Sequence, residues 1–100
     1  MLMTHAPAAL AALADPSRWQ IVALLRDEEL CVCHLVDELE ISQPLVSHHL
    51  KVLRDAGLVV GERHRYWTYY RLVPNAINAL ADEMHGIAGS DPTRERRPCC

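Results

Sequence analysis

The chain has 100 residues, half of them apolar and with a formal net charge of −3, and no apolar run approaches the ~20 residues needed to cross a membrane. One domain of this size buries only roughly 60–70% of its unfolded surface, which makes self-association an expected source of stability. The average charge hides a segregation. Residues 27–40 hold six carboxylates and no Lys or Arg, whereas residues 41–72 carry a net +3 with His48, His49 and His64 among them. A basic stretch of that kind is what phosphate binding requires, whatever the total charge.

The opening apolar run, Met1 to Ala14, has no Lys or Arg ahead of it and flows into a helix start, so it reads as a short helix from Pro7 to about Leu13 rather than a secretory leader. Asp15 followed by Pro16 is an N-cap and first-position pair, and Trp19, Val22 and Leu25 follow at helical spacing as expected core residues. A third helix is expected over Val32–Leu39. Ser42 caps a fourth with Pro44 in its first turn, and Val46, Leu50 and Leu53 form its inward stripe until Gly57 ends it. Only about three residues join these two helices, the mark of a helix–turn–helix.

The period then changes from 3.6 to 2. "LVVGERHRYWTYYRL" predicts a two-stranded hairpin with strands near 58–62 and 66–72, its aromatics Tyr66, Trp67, Tyr69 and Tyr70 packing on the strands. A last helix runs from Pro74 to about Ala88, with Ile77, Leu80, Met84 and Ile87 on one stripe. The remainder, residues 89–100, has turn formers and charge without periodicity and reads as a flexible tail ending in Cys99 and Cys100. The predicted fold is mainly α with a β-hairpin: a winged helix–turn–helix of five helices with the hairpin between the fourth and fifth. Residues 1–88 form the DNA-binding and dimerisation domain. Its first and last helices keep apolar stripes that a two-fold homodimer would bury.

The candidate DNA contacts fall on two elements. Ser42, Gln43, Pro44, Ser47, His48, Lys51 and Arg54 are exposed on the fourth helix, Gln43 and Ser47 for base edges and Lys51 and Arg54 for phosphate; His49 either joins them or packs inward. Arg63, His64 and Arg65 at the hairpin tip reach the flanking duplex.

"ELCVCHL" places Cys31 and Cys33 two residues apart. On a regular helix those positions are about 200° apart and their sulfurs cannot meet on one ion. Either the first turn unwinds to bring them together, which would make the spacing a switch, or Cys31 precedes the helix throughout. Thiolates select soft, thiophilic ions. Two thiols leave such an ion short of ligands, and Cys99 and Cys100 are the only other thiols in the chain. All four together would suit cadmium, lead or zinc.

With these pieces in place, "ELCVCHLVDELEISQPLVSHHLKVLRDAGLV" followed by "GERHRYWTYYRL" resembles the ArsR/SmtB family of bacterial metal- and metalloid-sensing repressors, over residues 8–88. The resemblance implies a cytoplasmic homodimer that binds double-stranded operator DNA without its ligand. Arsenite, or alternatively antimonite, Cd(II) or Pb(II), would release it, with no cofactor needed for folding. The family's arsenic motif often reads "CVCDLC"; here Val36 stands in the place of the third cysteine and His34 in that of the Asp. A second family site for zinc or nickel maps onto Pro74, Ala76, Ile87 and Ser90, which make a poor ligand set. A thiol-redox repressor of the same fold, using Cys99–Cys100 or a tail-to-helix disulfide, is the other reading. An enzyme is not indicated: no Ser/His/Asp set, glycine-rich phosphate loop or HExxH motif is present.

Overall fold

A computed structural model describes residues 5–89 and 95–99. Its elements run α1 (His5–Leu13), α2 (Pro16–Leu24), β1 (Leu30–Cys31), α3 (Val32–Leu39), α4 (Gln43–Asp55), β2 (Val59–His64), β3 (Trp67–Leu72) and α5 (Pro74–Ala88). No helix of the described residues is long and apolar enough to cross a membrane.

Local chemistry sets the helix ends. The Asp15 carboxylate accepts from the backbone N–H groups of Ser17 and Arg18, at 2.8 and 3.2 Å, and so starts α2. Ser42 Oγ accepts from the Leu45 N–H and starts α4. At the other end of α4, Gly57 takes φ +78°, the Leu58 N–H donates to the Leu53 carbonyl at 3.0 Å, and the Gly57 N–H donates to that of Arg54 at 2.9 Å. That pair of bonds is a Schellman stop, which needs a left-handed residue where glycine stands. It turns the chain directly into β2.

The core gathers Ile21, Leu25, Leu30, Leu35, Val46, Leu50, Leu53, Leu58 and Val59 beneath α1 and α5. Truncating a fully buried leucine such as Leu53 to Ala would cost about 2–5 kcal/mol, because a cavity adds to the lost transfer energy. Trp19 is not part of this core. It is 61% exposed, because Ile21 and Leu25 take the inward face of α2 and turn Trp19 outward.

The hairpin is present, but it belongs to a three-stranded antiparallel sheet of order β1-β3-β2. The extra strand is the two-residue β1, with Leu30 opposite Tyr70 and Cys31 opposite Tyr69. β2 runs two residues further than the sequence indicated, so Arg63 and His64 are strand residues, and Arg65–Tyr66 form the turn. Within the sheet, Tyr70 lies across Gly61, whose missing Cβ would sit 3.0 Å from the ring. Tyr66 and Trp67 do not pack on the strands as expected; they are 86% and 58% exposed, because the turn carries them beyond the covered part of the sheet. α1 and α5 lie side by side and leave Leu10, Met84 and Ile87 in solvent.

Candidate functional site

The inward stripe of α4 is Val46, His49, Leu50 and Leu53. The opposite face is therefore polar and open: Ser42, Gln43, Pro44, Ser47, His48, Lys51 and Arg54 are all exposed. His49 is not on that face. It is 6% exposed, with its Nδ1 3.2 Å from Nη1 of Arg18, so it packs inward and leaves the set of candidate DNA contacts. Lys51 Nζ donates to the Asp55 carboxylate at 2.8 Å, a surface pair that holds the carboxyl below its usual range. Such exposed pairs are weak, so Lys51 remains available to phosphate.

Arg63, His64 and Arg65 are exposed on the wing. Arg63 Nε donates to the Arg65 carbonyl at 3.2 Å, and His64 Nε2 lies 3.8 Å from Glu62. Arg65 adopts φ +59°, a left-handed conformation that costs a non-glycine residue roughly 1–2 kcal/mol. Glu29, Glu62 and His64 bring three donor atoms within 4.8 Å of one another, all exposed, an arrangement common on surfaces that hold no ion.

The cysteines meet without any unwinding. Cys31 is the N-cap of α3, with extended φ −94° and ψ 172°, and the helix proper begins at Val32. A residue held outside the helix does not obey the 200° offset, and the two sulfurs lie 2.9 Å apart. Of the two arrangements left open by the sequence, this is the one in which Cys31 precedes the helix. Cys31 is buried and Cys33 exposed. Burial pushes the Cys31 thiol up, but hydrogen bonds from the Cys33 thiol and from the backbone N–H groups of His34, Cys33 and Cys31 outweigh it and leave its pKa lowered. Sharing that hydrogen bond raises the pKa of Cys33. Cys31 thus loses its proton first, as expected for a sulfur at a helix N-terminus.

His34 is the residue that sequence reasoning passed over as a ligand. Its Nδ1 accepts from the Cys31 N–H at 3.1 Å and lies 3.3 Å from Cys31 Sγ, and the donor atoms of Cys31, Cys33 and His34 all fall within 4.8 Å of one another. The signal was present in the spacing, since an N-cap and the third helical residue face each other. Cys99 is exposed and lies outside this cluster, and Cys100 lies outside the described residues. Beside the thiols, a groove of about 430 Å³ runs between α3, the start of α4 and the wing, with Val36, Gln43, Tyr66 and Thr68 in its walls. Val36, standing where the family motif often has cysteine, thus faces the same groove as Cys31 and Cys33.

The sequence profile of the bacterial regulatory protein, arsR family, matches residues 15–60. The arsenic resistance transcriptional regulator ArsR1 of Pseudomonas putida is 46% identical over 86 residues, 85% of this chain and 67% of that protein. The chain belongs to the ArsR family. That family is one of transcriptional regulators, not of enzymes. The HTH-type transcriptional repressor SmtB of Mycobacterium tuberculosis is 45% identical over 82 residues, 82% of this chain but 61% of that protein. This ArsR-family chain thus spans about two thirds of the length of these curated relatives. Among solved structures, it is similar to the homodimeric winged helix-turn-helix DNA-binding domain of a possible ArsR-family regulator from Mycobacterium bovis, with a TM-score of 0.71, 26% identity and coverage of 84% and 78% of the two chains.

Proposed function

We propose that this ArsR-family chain is an operator-binding repressor released from DNA when trivalent arsenic binds Cys31 and Cys33. The observation that carries the reading is the 2.9 Å approach of the two sulfurs at the junction of α3 with the wing strand β3. Arsenite exchanges its As–O bonds for As–S bonds, each exchange returning one water, and antimonite would do the same. The third sulfur comes from Cys99 or Cys100 on the tail of residues 89–100, in the same or the partner subunit. Residues 1–88 act as the DNA-binding and dimerisation unit, with α1 and α5 supplying the dimer face through Leu10, Met84 and Ile87.

Gln43 and Ser47 read base edges, Lys51, Arg54, Arg63 and Arg65 hold phosphates, and α4 enters the major groove. The coupling is geometric. Cys31 belongs both to the sheet that carries the wing and to the cap of α3, which a short turn joins to α4. A ligand that binds better when this cap is displaced draws the population away from the DNA-competent arrangement. A second reading, a cadmium- or lead-responsive repressor, is favoured by His34, whose imidazole nitrogen beside two thiols suits a borderline or soft divalent ion.

The test is an operator complex of the full chain challenged in turn with arsenite, antimonite, cadmium, lead, zinc and peroxide. Release by arsenite that is lost in both Cys31→Ser and Cys33→Ser, with DNA affinity unchanged, is the expected result. Release by arsenite from the double serine variant would place the switch elsewhere. Release by peroxide alone would replace the metalloid with redox chemistry.

A further inference from the structure

Arg18 joins three elements from the first turn of α2. Its backbone N–H donates to the Asp15 carboxylate, its Nε donates to the Ala12 carbonyl in α1 at 2.6 Å, and its Nη1 meets His49 Nδ1 on α4 at 3.2 Å. His49 is the single buried polar side chain among the described residues. A guanidinium holds only donors, so this contact dictates the state of the ring: Nδ1 must present its lone pair and the proton must sit on Nε2.

We propose that Arg18 and His49 are positioning residues for DNA binding, a contact that seats α4 against α1 and α2 only while His49 is neutral. This rests on α4 being the DNA-recognition helix. Protonation at Nδ1 would set an N–H against an N–H, and a cation against a cation, at a buried contact. The ring must then turn away, or the helix must shift. The groups that act on the imidazole are Asp15 and Arg18 at the start of α2 and His48 on its own helix. Burial lowers its pKa first; Asp15 opposes this, and Arg18 and His48 add to the lowering. A histidine with a depressed folded pKa stabilises the seated arrangement fully above its ordinary pKa of about 6.5. That contribution falls as pH drops below it toward the folded value.

The sign separates His49 from the other histidines. His48 and His64 are exposed on the proposed DNA face, where positive charge would draw phosphate and tighten binding. A requirement that His49 stay neutral acts in the opposite direction and weakens binding in acid.

The test compares operator affinity of the full chain with that of His49→Gln, from about pH 7.5 down to about pH 5 at constant ionic strength. Glutamine keeps an oxygen to accept from Arg18 and has no proton to gain. The expected result is near-equal affinity at the upper pH and at least about a threefold relative loss for the natural chain in acid. Parallel profiles would overturn the proposal. Nitrogen chemical shifts of the His49 ring, read on the natural chain, supply a measurement independent of any variant: an Nδ1–H tautomer at neutral pH overturns it as well. Gln43→Ala and Lys51→Ala serve as the control. If neither alters operator binding, the assignment of α4 has failed, and the tautomer result still decides whether the contact exists.

Discussion

Cys31 and Tyr69 stand opposite one another across the β1–β3 pairing, so the residue that caps α3 is also a rung of the wing sheet. On the proposed reading, a metalloid at Cys31 would pull on both α3 and the wing sheet. The third sulfur is the open part of this site. X-ray absorption on the arsenite complex should find three As–S bonds in the full chain and two after truncation behind Pro98. Three in both would make the tail a bystander. Because Cys99 and Cys100 are adjacent, single serine variants of either should behave normally.

His34 separates the metalloid from the divalent reading. Its ring sits 3.3 Å from Cys31 Sγ through the nitrogen that also caps the Cys31 N–H. His34→Ala should weaken cadmium binding by about tenfold or more, while arsenite affinity changes by less than about threefold. Equal losses for both ions, measured by competition titration, would assign His34 to the cap alone.

Arg65 holds a left-handed conformation at which glycine would be relaxed, and it is exposed at the turn of the wing. Arg65→Gly should keep or raise thermal stability, yet weaken binding to every DNA sequence and lower the salt slope by about one unit. Gln43→Ala should instead narrow the gap between operator and random duplex. Fluorescence anisotropy across a salt series reads both. A stable Arg65→Gly variant with unchanged salt dependence would remove the wing from the interface.

Ile87 is 86% exposed on α5, and Leu10 is exposed on α1, the helix α5 packs against. An Ile87→Asp substitution should shift a dimer toward monomer at micromolar concentration and weaken operator binding with it, as sedimentation would show. An unchanged dimer would move the interface off these helices.

The Asp15 carboxyl lies below its usual range, chiefly because the Arg18 N–H donates to it. The sign follows from that lowering: its cap contributes stability above the ordinary carboxylate pKa and loses it as pH falls through the folded value. Asp15→Asn keeps a capping oxygen without the titration. The variant should show a shallower acid fall in melting temperature than the natural chain. Identical slopes would place the acid sensitivity elsewhere.

Caps, period and spacing are local properties, and the sequence by itself determined what they control. Asp15, Ser42 and Gly57 set helix ends through hydrogen bonds that span two to five residues. The change to period 2 announced the hairpin, and the Cys31-x-Cys33 pair with the basic stretch beyond it carried the family and the candidate site. Contacts between distant segments were decided only in the tertiary structure. A two-residue strand has no period to detect, so β1 exists only because β3 offers it a partner. That pairing holds Cys31 extended, and the sulfurs meet for that reason, not by helix unwinding. Trp19 and His49 follow the same logic. Both sit at helical spacing that allows either face, and the packing of α2 and α4 turned the tryptophan out and the histidine in, onto Arg18, 31 residues away in the chain.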